Sequence, residues 1–75
     1  MAKKNEAAVE LRPTAEHMED FTDLDVLIKN RRVGHISQTA GERFVSIENY
    51  AGKTGSARSV EDGLEMILAD YHLHT

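Results

Sequence analysis

Residues 22–38 read Thr22-Asp23-Leu24-Asp25-Val26-Leu27-Ile28-Lys29-Asn30-Arg31-Arg32-Val33-Gly34-His35-Ile36-Ser37-Gln38, and this stretch decides the fold. Leu24, Val26 and Ile28 alternate with Asp23, Asp25 and Leu27, the period of two that marks a strand with one buried face. Asn30-Arg31-Arg32 reads as a turn, because asparagine tolerates the left-handed backbone of tight turns. Val33 to Gln38 is then the returning strand. A three-residue turn sets Val26 against Ile36 and Ile28 against Gly34. A two-residue turn would set Val26 against His35, so the longer turn is expected.

Outward from this hairpin, Thr39-Ala40-Gly41-Glu42 predicts a second turn and Arg43 to Tyr50 a third strand. Val45 and Ile47 share its core face, and Phe44 falls on the other with Ser46 and Glu48. Two glycines mark residues 51–56 as a loop. Ser59, with Asp62 three residues on, then has the form of a helix-start capping box. Val60, Leu64, Ile67, Leu68 and Tyr71 recur at helical spacing, and Glu61, Asp62, Glu65 and Asp70 surround that stripe. Gly63 inside the helix costs about 1 kcal/mol relative to alanine, which predicts a close approach to the sheet. On the N-terminal side, Ala8-Val9-Glu10-Leu11-Arg12 alternates weakly and is halted by Pro13, as an edge strand would be. It is expected to cover Leu27 and Phe44 on the second face, or else to leave them exposed. The expectation is an α+β fold: a three-stranded antiparallel β-meander, with a fourth N-terminal edge strand as the alternative, packed on one C-terminal α-helix. Residues 1–7 read as a disordered tail, and 8–75 as a single domain with its ordered core over 22–73.

The chain has 75 residues, no cysteine and a net charge of −4. That length allows one domain with a thin core. The missing thiols remove disulfide staples and thiolate metal sites and fit a reducing compartment. Lys3 and Lys4 have no apolar run behind them, the pattern of neither a signal peptide nor a membrane anchor. No segment has the roughly 18 apolar residues a bilayer span needs. A cytoplasmic protein with no membrane partner is expected.

The aliphatic strand, the basic turn, Val33-Gly34-His35-Ile36, the strand with Phe44, Ser59 opening a helix, and the closing Tyr71-His72-Leu73-His74 together resemble a family of short uncharacterised proteins from lactic acid bacteria. The resemblance spans residues 22–74. It implies a bacterial cytoplasmic setting and carries over no catalytic residue.

Function narrows by elimination. Gly52-Lys53-Thr54 lacks the upstream glycine of a phosphate loop, since Ile47 stands there, and residues 55–58 separate it from the helix. His72 and His74 would need His17 and His35 from distant segments to complete a metal shell. No nucleophile–base pairing is legible, and so thin a domain is expected to lack the roughly 300 Å³ cleft of small-molecule sites. A non-enzymatic protein with no cofactor and no small-molecule substrate is therefore expected.

Two binding readings remain. The ends of the chain are acidic, and residues 29–58 hold Lys29, Arg31, Arg32, Arg43, Lys53 and Arg58. Lys29, Arg31 and Arg32 crowd one hairpin end. Arg43 extends them only if it points away from the helix, against its alternation with Val45. Such a group near Tyr50 or Phe44 suits phosphate contact and base stacking. The preferred reading is a protein–protein interaction or regulatory module, a homodimer included, with Leu27, Phe44 and Tyr50 as its contact residues.

Overall fold

A computed structural model of the chain describes residues 9–73, so the expected tail at 1–7 lies outside the described residues. Five strands form one antiparallel sheet in sequential order: β1 (Val9–Pro13), β2 (Phe21–Ile28), β3 (Arg31–Thr39), β4 (Val45–Asn49) and β5 (Thr54–Ala57). Helix α1 (Val60–Leu73) follows. The α+β class and the C-terminal helix agree with the sequence reading. The N-terminal edge strand held as the alternative forms, but the strand count still exceeds the expectation by one, because residues 51–56, expected as a loop, contribute to a fifth. Ser46 pairs with Ser56 and Ile47 with Gly55. β5 is held by its backbone ladder, so it needs no apolar alternation and leaves none to read.

The first hairpin also turns earlier than expected. Ile28 faces Arg31 across a two-residue turn in which Lys29 and Asn30 have φ of 53° and 66°. Positive φ at both central positions matches the twist of the flanking strands. Leu27 then pairs with Arg32 but Val26 with Gly34, which leaves Val33 as an extra residue on β3. Val26 therefore faces Gly34, not Ile36, and Ile36 faces Leu24. The bulge resolves a conflict that a regular ladder could not: Val33 is buried in the core, whereas Arg32 reaches acidic partners on the other face.

Val26, Ile28, Val33, Ile36, Val45, Ile47, Ala57 and Ile67 make the core, with Val60, Leu64, Leu68 and Tyr71 packed around it. Each fully buried aliphatic side chain contributes about 1.5–3 kcal/mol. The helix begins as its cap predicts: the Asp62 N–H donates to Ser59 Oγ at 3.1 Å. It runs back along the sheet over β3, β4 and β5. Gly63 permits this, since a Cβ there would lie 2.8 Å from Ile47 Cγ2. Gly34, in β3, makes a second close approach, to Ile67.

β1 joins the sheet edge with Leu11 opposite Val26 and Val9 opposite Ile28. Directly opposed residues share a face, so Val9 and Leu11 stand on the helix side. They do not cover Leu27 and Phe44. No helix among the described residues is long and apolar enough to cross a membrane.

Candidate interaction surface

Alternation along five strands sends one set of side chains away from the helix, and on this open face they are almost all polar. Asp23 sits at its centre, 6% exposed. The Thr14 hydroxyl donates to Asp23 Oδ2, and His35 Nε2 lies 2.6 Å from Asp23 Oδ1. The Asp23 backbone N–H donates to Nδ1 of His17 at 3.0 Å. A buried carboxylate needs such partners to offset its desolvation. Arg32 spans two strands, with Nε 2.9 Å from Asp25 Oδ1 and Nη2 3.4 Å from Glu48 Oε1. The hydrogen bond to Asp25 holds the guanidinium above even its ordinary high pKa, against a smaller lowering by burial.

Glu10, Asp23, Asp25 and Glu48 outnumber Arg12 and Arg32 on this face, so its formal charge is negative. A broad hollow of about 450 Å³ lies here, lined by His35, Ser37, Ser46, Glu48 and Thr54 among others. No cleft of that volume was expected. The small Ser37–Ser46 pair beside the taller His35–Glu48 pair leaves it on the sheet, and it stays open to solvent, unlike the enclosing sites that bury most of a small ligand.

The candidate residues do not assemble as the sequence suggested. Leu27 is 7% exposed, flanked in register by Glu10 and Arg32. Long side chains of that kind lay their aliphatic stems over apolar neighbours. Leu27 is thus unavailable as a contact residue. Phe44 is 53% exposed at the β3–β4 end of the sheet, and Tyr50 is 41% exposed at the opposite end. There Tyr50 packs edge-on to Tyr71, with ring centroids 5.6 Å apart.

Nor do the four cations form one patch. Arg32 is bound to its carboxylates. Arg43 lies at the far end of β3 from Arg31, roughly 26 Å away at about 3.3 Å per residue. Lys29 and Arg31 do share the hairpin end, and Lys53 joins them there from the β4–β5 turn. The sequence showed Lys53 as a loop cation; its place at the same end of the sheet, level with Asn49 and Gly34, depends on β5, which had no hydrophobic signature.

The outer edge of β1 pairs with no strand among the described residues, and the sequence marked it as an edge by Pro13 but not as a binding surface. The Thr14 N–H donates to the Asp23 carbonyl at 3.0 Å, one step beyond the Pro13–Leu24 pair. Antiparallel strands alternate the direction of their backbone groups. Glu10 and Arg12 therefore point their N–H and C=O groups toward β2, as Thr14 does. Val9 and Leu11 point theirs outward, and Pro13 turns out a carbonyl and the position where it has no N–H. Proline is tolerated on just such an edge. The Val9 and Leu11 side chains are 41% and 36% exposed, and the helix lies over the other half of this face. Arg12 reaches back to Glu10, with Nε and Nη2 each 3.1 Å from a carboxylate oxygen.

Comparison with known proteins adds a family. The chain belongs to the family described as "Protein of unknown function (DUF2969)", whose pattern matches residues 1–74. This is wider than the 22–74 over which the resemblance was legible. No curated protein and no solved structure matches the chain.

Proposed function

We propose that this member of the family is a bacterial cytoplasmic protein, of the lactic acid bacterial kind its motifs resemble, that acts without catalysis by binding another protein along β1. The observation that carries the reading is the β1 edge. It offers outward backbone donors and acceptors beside exposed apolar side chains on a half-face that the helix leaves open. An added strand satisfies such groups and gains specificity from alternate side chains. Natural sheets usually blunt a free edge with charge, proline or a bulge. Here Pro13 removes a single donor, and Glu10 and Arg12 largely neutralise each other. The test is amide hydrogen exchange at Val9 and Leu11, followed by NMR in buffer and in concentrated extract of the source cells. Protection in either condition is expected; exchange at the free-chain rate in both would refute the reading.

A second reading, nucleic-acid binding, is favoured by one specific observation: Lys29, Arg31 and Lys53 share an end of the sheet with the exposed Tyr50. Titration of labelled protein with mixed-sequence DNA and then RNA at low salt decides it. Salt-reversible shifts confined to those residues would support it. An unchanged spectrum would eliminate it.

A further inference from the structure

The β1 edge is complementary to its own reverse. Taken about Leu11, the sequence Val9-Glu10-Leu11-Arg12-Pro13 places apolar residues symmetrically at its ends and centre and opposite charges symmetrically between them. A second copy laid antiparallel on this edge, with Leu11 facing Leu11 across a two-fold axis, puts Val9 against Pro13 and Glu10 against Arg12, each pairing made twice. Every apolar side chain then meets an apolar one on the helix side, and every acid meets a base on the open face.

The backbone agrees with the same register. Leu11 points both its groups outward, so the two Leu11 residues exchange a pair of hydrogen bonds. Each Val9 N–H meets a Pro13 carbonyl, and the donor that Pro13 lacks falls where only a Val9 carbonyl would have used it. Among the described residues the axis is clear of obstruction, because α1 lies over β3, β4 and β5. The opposite edge, β5, offers no such match, since Thr54-Gly55-Ser56-Ala57 has neither charge nor a large apolar side chain.

We propose that the partner of β1 is a second copy of this chain, joined by isologous strand pairing into one continuous ten-stranded sheet. The proposal rests on the reading of β1 as a protein-binding edge and goes further by naming what binds there. An edge of five residues makes an interface of the small class, under about 1,200 Å², that associates transiently. The dimer is therefore to be sought at high protein concentration.

Charge exchange between positions 10 and 12 tests it. In the antiparallel pairing Glu10→Arg sets like charges opposite each other twice, and Arg12→Glu does the same with the opposite sign. Each variant alone is expected to weaken self-association about tenfold by sedimentation equilibrium. An equimolar mixture of the two variants restores association, and so does the double variant Glu10→Arg/Arg12→Glu in homodimers. Loss of local structure in β1 would not produce recovery on mixing. Leu11→Pro removes an outward N–H that β2 does not use, so it should abolish the dimer while the far-ultraviolet circular dichroism is kept.

The proposal is overturned if the wild type stays monomeric at about 1 mM, or if mixing the single variants restores nothing. A monomer whose Val9 and Leu11 amides are protected only in cell extract would sink self-pairing and keep the strand-binding reading. Free exchange in both conditions would sink both.

Discussion

Replacing Gly34 by alanine probes how closely the helix seats on the sheet. A Cβ at that position would lie 2.5 Å from Ile67 Cγ2, 3.0 Å from Ile67 Cδ1 and 3.0 Å from the Glu48 carbonyl oxygen. Carbon atoms in good contact sit about 3.5–4.0 Å apart. The helix must therefore lift by about 1 Å, or Ile67, which is 1% exposed, must leave its rotamer. The backbone oxygen on the second side closes the other escape. Overpacking of this kind costs about 1–3 kcal/mol. Alanine regains about 0.5–1 kcal/mol relative to glycine in a strand. A net loss of about 1–2 kcal/mol follows, equivalent to about 10 °C in Tm for a domain of this size.

Urea unfolding followed by circular dichroism would report this loss as a lower midpoint at unchanged slope. Ile67→Ala, which costs about 2–5 kcal/mol on its own, removes both obstructing methyl groups. In that background Gly34→Ala should be close to neutral, a coupling of more than about 1 kcal/mol between contacting residues. If Gly34→Ala leaves the wild-type midpoint unchanged or raises it, the helix does not sit this close to β3 and the packing argument fails.

Substitutions at three further places test separate parts of the structure. Asp23→Ala strips the buried carboxylate from Thr14 and His35 and should cost about 2 kcal/mol in urea unfolding; a neutral result would mean those contacts hold nothing. Lys29→Asn with Asn30→Gly gives the first hairpin the turn pair its two positive φ values favour, and a rise of about 1 kcal/mol is expected. A fall would show that the chain turns elsewhere. Ser59→Ala removes the acceptor for the Asp62 N–H and should cost about 1 kcal/mol, whereas Ser59→Asp should keep most of the stability. Equal thermal stability for all three residues at position 59 would refute the cap.

The sequence by itself determined the helix, the two strands that flank the first turn, and the core positions Val26, Ile36, Val45, Ile47 and Ile67. These are consequences of local periodicity and capping, which each segment carries in its own residues. Gly63 likewise announced a close approach, because nothing else offsets a glycine inside a helix. Only the tertiary structure decided the remainder. β5 forms because β4 offers it a backbone ladder, and Thr54-Gly55-Ser56-Ala57 has no side-chain pattern to declare it. The turn fell on Lys29 and Asn30, because a bulge at Val33 satisfied the core and the Arg32 ion pairs together, a compromise between two faces that no single strand encodes.

Charge proximity was misread for the same reason. Arg32 and Arg43 belong to one basic stretch of chain, yet the first is spent on Asp25 and Glu48 and the second lies at the other end of β3. Lys53, far away in sequence, falls at the same end of the sheet as Lys29 and Arg31. The β1 edge was visible as a short alternating segment, but the direction of its backbone groups follows from its pairing with β2. Side-chain pattern is written along the chain, whereas the partners of charges and of edge hydrogen-bonding groups are set by which strands come to lie side by side.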